Sequence, residues 1–289
     1  MNNKISIILP VYNEEESIGQ VIDDVFAVMS GTDYDFEIIV VDDASADRSA
    51  EIARTKKIRL LQHIHNKGVG AARKTGILNC QGGIIVMLDS DNTYPAKSIP
   101  EALKFIPQYD QVIGIRDRER GTLRILRRPV KWLMFRLASF LAKQHIPDLN
   151  SGFRVLKKEI ILKYLYLIPD GFSCVSTMTL IFLCNGYDIK YIPIEYYQRK
   201  GKSKFRIVND TRDFLFTIIR IIMYFNPLRI FIPLSLILLG TGIIKVLFDV
   251  YIASIHNMQE SDIVIIVSAI NILTFGLLAD LIVTIHKKE

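Results

Sequence analysis

Residues 83–91 read Gly-Ile-Ile-Val-Met-Leu-Asp-Ser-Asp, an unbroken apolar run that stops on two carboxylates one residue apart, Asp89 and Asp91. Such a run predicts a strand buried on both faces, the kind found in a parallel sheet covered by helices. Asp89 and Asp91 stand at the mouth of that strand and cannot both point into the core, because a buried charge needs a partner.

Upstream the same pattern recurs. KISIILP (4–10), FEIIVVDD (36–43) and IRLLQHI (58–64) read as strands. Between them, ESIGQVIDDVFAVM (16–29), a stretch near Arg48 to Thr55, and a segment opening at GVGAARKTGILN (68–79) read as helices. This rhythm predicts an α/β fold with a mostly parallel sheet flanked by helices, in which ligands bind at the carboxyl ends of the strands. Pro10-Val11-Tyr12-Asn13-Glu14 and Val40-Val41-Asp42-Asp43-Ala44-Ser45 fall at two of those ends. Each offers a rigid or aromatic group and a carboxylate, suited to stacking on a nucleobase and to accepting hydrogen bonds from base or ribose. Each alone also reads as turn chemistry with a helix cap. Asp89 and Asp91 supply hard oxygen ligands for Mg²⁺ or Mn²⁺ shared with a substrate diphosphate. His63 and His65 read as structural.

Downstream the character changes. The chain has 289 residues, 50% of them hydrophobic, a net charge of +6 and a mean hydropathy of +0.26. These values argue against a purely cytosolic enzyme and exclude disorder. The apolarity is concentrated at the end, where Arg229 to Phe248 and Ile263 to Ile285 each approach the ~20 residues that cross a hydrocarbon core. The alternative is a buried hairpin of a soluble protein. The connecting DVYIASIHNMQESD has no Lys or Arg, whereas Arg220, Arg229, Lys287 and Lys288 flank the other ends. The positive-inside rule then predicts an integral membrane protein with two spans, its catalytic domain and both termini cytosolic. Lys245 and Asp280 lie near span ends and are expected to snorkel, needing no functional explanation. Gly240 and Gly242 permit close helix approach and predict a homo-oligomer. The opening MNNKISIILPVYNEEES reads as a first strand and not as a signal peptide. Cys80, Cys174 and Cys184, odd in number and far apart, read as reduced thiols.

The positive charge is concentrated too. Between Arg116 and Lys143 nine basic residues face two acidic ones. Nucleic acid is the rival reading, but KWLMFRLASFLAK, with the single Trp132 among Leu, Met and Phe, predicts an amphipathic helix at a membrane surface over about 128–143. A second such helix is expected over 211–228.

The strings PVYNEEESI, VDDASADRS, HNKGVGAARKTG, MLDSDNTYP, NSGFRVL and RKGKSK, in this order across residues 5–206, resemble family 2 glycosyltransferases of the polyprenyl-phosphate, dolichyl-phosphate mannose synthase-like branch. The resemblance implies a GT-A nucleotide-diphospho-sugar transferase fold over 1–210, ahead of the interface helix over 211–228 and the transmembrane hairpin over 229–289, and it makes a tetramer one option for the oligomer. It implies that Pro10, Tyr12, Glu14, Val40, Asp42, Lys67, Asp89 and Ser90 hold the nucleotide, and that Asp89 and Asp91 hold the metal and diphosphate. Asp89, Asp91, Arg199 and Lys204 would form the catalytic set, the last two on a loop closing over phosphates. Arg116, Arg127, Arg128, Lys131 and Ser151 would meet the acceptor phosphate, although Ser151 to Arg154 also reads as a packed strand turn. Mannosyl members often carry Gln two residues after the second aspartate; Thr93 stands there here. The donor is therefore left open among GDP-mannose, UDP-glucose and UDP-N-acetylhexosamine.

The implied reaction is inverting hexose transfer to a polyprenyl (dolichyl or undecaprenyl) phosphate at the cytosolic membrane face. A phosphate acceptor is already anionic near neutral pH, which suits a site rich in Arg and poor in catalytic His. The rival readings are a processive polysaccharide synthase, whose QxxRW string is absent, and an inactive membrane-anchored nucleotide-binding scaffold.

Overall fold

A computed structural model describes residues 4–116, 136, 138–140, 144–197, 207–251 and 259–286, with the backbone alone for 207–215 and 286. The chain divides into two compact units, Met1–Ile218 and Ile219–Glu289.

The first unit is built on seven strands: β1 (Ile5–Val11), β2 (Phe36–Asp42), β3 (Arg59–Gln62), β4 (Ile84–Met87), β5 (Gln111–Arg116), β6 (Arg154–Lys157) and β7 (Ile189–Ile194). They form one sheet in the order β3-β2-β1-β4-β6-β5-β7. The β1–β2, β1–β4, β2–β3 and β5–β7 pairs are parallel, as the upstream rhythm predicts. β6 departs from that rhythm and runs antiparallel to both β4 and β5. Its first residue, Arg154, lies opposite Met87 at the carboxyl end of β4 and opposite Ile113 in the middle of β5.

Helices α1 (Ile18–Ser30), α2 (Ser49–Arg54), α3 (Val69–Asn79), α4 (Ser98–Leu103), α5 (Lys158–Lys163) and α6 (Cys174–Cys184) accompany the sheet. The spacing of α1 explains its burial: Ile18, Val21, Ile22, Val25 and Met29 recur at helical intervals and form its buried face. They join Ile5, Ile7, Leu9, Ile38 and Val40 in the main core. Every residue of β1 is buried, the pattern expected of a strand covered on both faces. α3 lies close on β1 because Gly76 sits against the Ile8 side chain, where a Cβ would leave only 2.5 Å. α7 (Ile207–Phe225) follows, and the division between the units falls within it. Of the interface helix expected over about 128–143, most residues lie outside those described.

The second unit contains α8 (Leu228–Tyr251) and α9 (Glu260–His286), packed as a hairpin. Both are long and apolar enough to cross a membrane. Gly242 packs on Ile265 and Ile266 of α9, so the hairpin itself uses that close approach, while Gly240 meets no other side chain among the described residues. Lys245 corrects an expectation. It does not snorkel as an isolated charge: its ammonium lies 2.6 Å from Asp249 and 2.6 Å from Asp262, whose residue has no exposed surface. Two carboxylates beside one ammonium neutralise it locally, which removes the need to reach water alone.

Candidate active site

Three loops at the carboxyl ends of β1, β2 and β4 lie side by side because those strands are neighbours in the sheet. Each loop contains one non-glycine residue in the left-handed region, Asn13 (φ 50°), Ala44 (φ 61°) and Asn92 (φ 60°). That conformation costs energy for a residue with a Cβ, and the surrounding hydrogen bonds over-determine it. The Asn13 amide donates to Ser45 Oγ (2.9 Å), and its side-chain oxygen accepts from the Ala46 amide (2.8 Å). The Glu14 amide donates to Ser49 Oγ at 2.8 Å. Ser90 Oγ donates to the Pro10 carbonyl (2.8 Å), and Ser17 Oγ donates to the Ser90 carbonyl (2.7 Å).

The acidic pair sits in this frame. Asp89 Oδ1 accepts from Arg73 Nη2 at 2.6 Å, with about a third of its side chain exposed. Asp91 is buried, and its Oδ1 accepts from both the Thr93 hydroxyl (2.6 Å) and the Thr93 amide (3.2 Å). Thr93 is fully buried and its carbonyl accepts from the Tyr197 amide, so Thr93 fixes Asp91 in place. Among the described residues no group of three or more His, Cys, Asp and Glu gathers into a cage. Two carboxylates without a third fit a divalent ion that completes its shell with water and substrate phosphate, the habit of Mg²⁺ and of Mn²⁺.

The expected nucleotide residues fall on this edge with one exception. Pro10, Tyr12 and Glu14 end β1 and begin its loop, Asp42 ends β2, and Ser90 lies between the two aspartates. Asp42 accepts from the Ser45 amide and the Gln62 amide group, each at 3.3 Å. The Lys67 amide donates to Asp43 Oδ1 at 2.9 Å. Val40 is the exception: it is fully buried in the core, with no exposed surface.

Arg116 closes β5 at the same edge. Its guanidinium makes two hydrogen bonds to Asp148, at 2.8 and 2.9 Å, and lies over the Tyr196 ring. Ser151 has no exposed surface, and its hydroxyl is directed at the Phe153 carbonyl at 3.4 Å. Arg127, Arg128, Lys131, Arg199 and Lys204 lie outside the described residues.

Several site residues escaped the sequence reading. Asp43, adjacent to Asp42, is 2% exposed and accepts from the Gly68 amide as well as Lys67, while His63 Nδ1 lies 2.6 Å away. Arg73 and Arg154 are both fully buried. Burial opposes the charge on Arg73, yet Cys174 and Asp89 together hold its pKa above the ordinary arginine value. Burial and the nearby Arg73 push Arg154 down to about 10. A lone arginine in the small-residue run Gly-Val-Gly-Ala-Ala-Arg was the available signal for Arg73: a helix able to lie this close to a sheet has little room for a long side chain without a task.

The glycosyl transferase family 2 model matches residues 6–165, which contain all three loops and both aspartates. The chain belongs to that family. The GtrB C-terminal hairpin model matches residues 226–285. A dolichyl-phosphate hexose transferase of Haloferax volcanii is 31% identical over 202 residues, covering 69% of this chain and 86% of the relative. Glycosyltransferase AglJ of the same organism is 27% identical over 296 residues, covering 99% of this chain and 95% of the relative. Among solved structures, glucosyl-3-phosphoglycerate synthase of Mycobacterium tuberculosis with Mn²⁺, UDP-glucose and phosphoglyceric acid superimposes with a TM-score of 0.62 at 18% identity, covering 76% of this chain and 80% of that one. The family 2 fold here is thus the GT-A fold, and the protein is a glycosyltransferase. Its two apolar C-terminal helices and the hairpin match point to membrane anchoring.

Proposed function

We propose that this glycosyltransferase moves a hexose from a nucleotide-diphosphate sugar to a polyprenyl phosphate, with inversion, at the cytosolic face of a membrane. The observation that carries the reading is one chain that joins the Asp89–Asp91 pair, at the carboxyl edge of a GT-A sheet, to two helices of membrane-spanning length. A soluble acceptor would give such an enzyme no use for the hairpin. The relative named for dolichyl phosphate supports the acceptor class.

In this reading the β1 and β2 loops hold the nucleoside through Tyr12, Glu14 and Asp42, and Asp89 and Asp91 face its diphosphate. A divalent ion bound there would neutralise the leaving nucleoside diphosphate. Asp91 would be held by Thr93 and Asp89 by Arg73, so neither carboxylate needs to reorganise during transfer. The acceptor phosphate is itself the nucleophile, so positioning dominates over proton transfer. Arg116, with the basic residues Arg127, Arg128 and Lys131, would orient it, and Arg199 with Lys204 would cover the phosphates.

The test supplies polyprenyl phosphate, Mg²⁺ or Mn²⁺ and a panel of GDP- and UDP-sugars to the full chain in detergent or vesicles. One donor should give lipid-linked sugar, chelation should stop transfer, and Asp91→Ala should abolish it. No product with any donor, or full turnover by Asp91→Ala, would sink the proposal.

A further inference from the structure

We infer that Arg73 and the Gly152 backbone form a rigid clamp that presets the Asp89 carboxylate, making Arg73 a positioning residue for sugar transfer. The inference rests on the reading above that Asp89 faces the metal and diphosphate.

The two sides of the clamp come from different elements, α3 and the turn before β6. Arg73 rises from α3 almost wholly buried and places Nη2 2.6 Å from Asp89 Oδ1. On the other side Gly152 abuts the same carboxylate so tightly that a Cβ would overlap Asp89 Oδ2 and Cγ. One oxygen is therefore held by a charged fork, and the carboxylate cannot swing away because backbone stands behind it.

The support behind Gly152 is also built in. Its amide donates to the Tyr94 hydroxyl at 2.8 Å. Arg154, two residues on, donates from Nη2 to the Ser151 carbonyl (2.7 Å) and from Nη1 to the Val175 carbonyl (2.8 Å). This fixes the turn that precedes β6 against α6. Among the described residues the Nε atoms of Arg73 and Arg154 are buried and have no hydrogen-bond partner. Burying the Arg73 guanidinium against a carboxylate that keeps about a third of its side chain exposed, with a second buried guanidinium close behind, is costly for a fold that needs only packing there. Holding a carboxylate in one orientation accounts for that cost, because supporting hydrogen bonds to a metal-binding side chain set its geometry. The clamp also gives the string Ser-Gly-Phe-Arg a role apart from acceptor contact: glycine for the close approach and arginine for the buttress.

The test uses the full-length chain in detergent and reads Mn²⁺ binding by electron paramagnetic resonance, alone and with GDP or UDP, beside thermal unfolding followed by circular dichroism. Arg73→Lys keeps the charge but loses the fixed fork, and Gly152→Ala keeps Arg73 but displaces the carboxylate. Both should fold and bind Mn²⁺ about 10- to 100-fold more weakly than wild type. Cys174→Ala, which removes the other hydrogen bond that Arg73 makes among the described residues, should bind Mn²⁺ as wild type does. Folded Arg73→Lys and Gly152→Ala proteins with wild-type Mn²⁺ binding would overturn the clamp, as would equal weakening in Cys174→Ala. Weakened Mn²⁺ binding in the two variants, with no sugar transferred to polyprenyl phosphate by wild type from any donor, would uphold the clamp and defeat the proposed reaction. A wild-type chain that holds no Mn²⁺ with either nucleotide would defeat both.

Discussion

The Gly152 amide, buried beside Asp89, donates its hydrogen bond to the Tyr94 hydroxyl at 2.8 Å. Tyr94→Phe removes that acceptor and strands a buried N–H, so the variant should lose about 1–3 kcal/mol of stability. The Tyr191 hydroxyl is buried with no hydrogen-bond partner among the described residues. Tyr191→Phe should therefore be neutral or slightly stabilising. Denaturant unfolding of both variants checks the contrast; equal losses would contradict it.

The same two phenols set a behaviour at high pH. Burial raises the Tyr94 pKa well above the usual phenol range, helped by Asp89, and burial pushes Tyr191 up to about 12. A group whose pKa is raised on folding contributes its full stability below its unfolded pKa, about 10 for tyrosine, and loses it as pH rises beyond that. Stability of the catalytic unit should accordingly fall between pH 10 and 12. Tyr191→Phe should flatten that decline, as read from thermal midpoints across the range.

His63 bridges two elements, with Nδ1 2.6 Å from Asp43 and Nε2 2.8 Å from Thr75 Oγ1 on α3. Asp43 in turn accepts from the Lys67 and Gly68 amides. His63→Ala should cost about 1–3 kcal/mol by leaving buried polar groups unpaired. Hydrogen exchange should show the Lys67 and Gly68 amides losing protection first. Unchanged exchange at those amides would count against the link.

In the hairpin, Lys245→Met leaves Asp249 and Asp262 facing each other without a cation. The expected result is a lower unfolding midpoint in detergent and faster proteolysis between α8 and α9. Lys245→Arg, which keeps the charge, should lose less. Identical behaviour of the Met and Arg variants would show that the ion pairs do not fix the hairpin.

The acidic pair and its strand were legible from residues 83–91 because local chemistry decides them: an apolar run must be buried, and two carboxylates one residue apart cannot both follow it into the core. The hairpin was legible for the same reason, since its length and apolarity are local properties. Arg73 and Arg154 were not, because 80 residues lie between them, and the contact of Arg73 with Asp89 and the hold of Arg154 on the Ser151 carbonyl exist only once α3, β4 and β6 have packed. The choice between Asp42 and Asp43 was invisible as well. Neighbouring residues on a strand point to opposite faces, and only the packing of α3 shows which face meets the Lys67–Gly68 turn.

Lys245 marks the same divide. On a single helix it is an isolated charge near a span end; across the hairpin it has two carboxylate partners, one of them 17 residues away. The sequence by itself determined the alternating α/β pattern, the acidic pair at a strand mouth and the two apolar helices, all governed by neighbours along the chain. Only the tertiary structure decided the antiparallel insertion of β6, the clamp on Asp89 and the pairing of Lys245. Each depends on burial, and burial brings together charges that are distant in sequence and makes each the other's required partner.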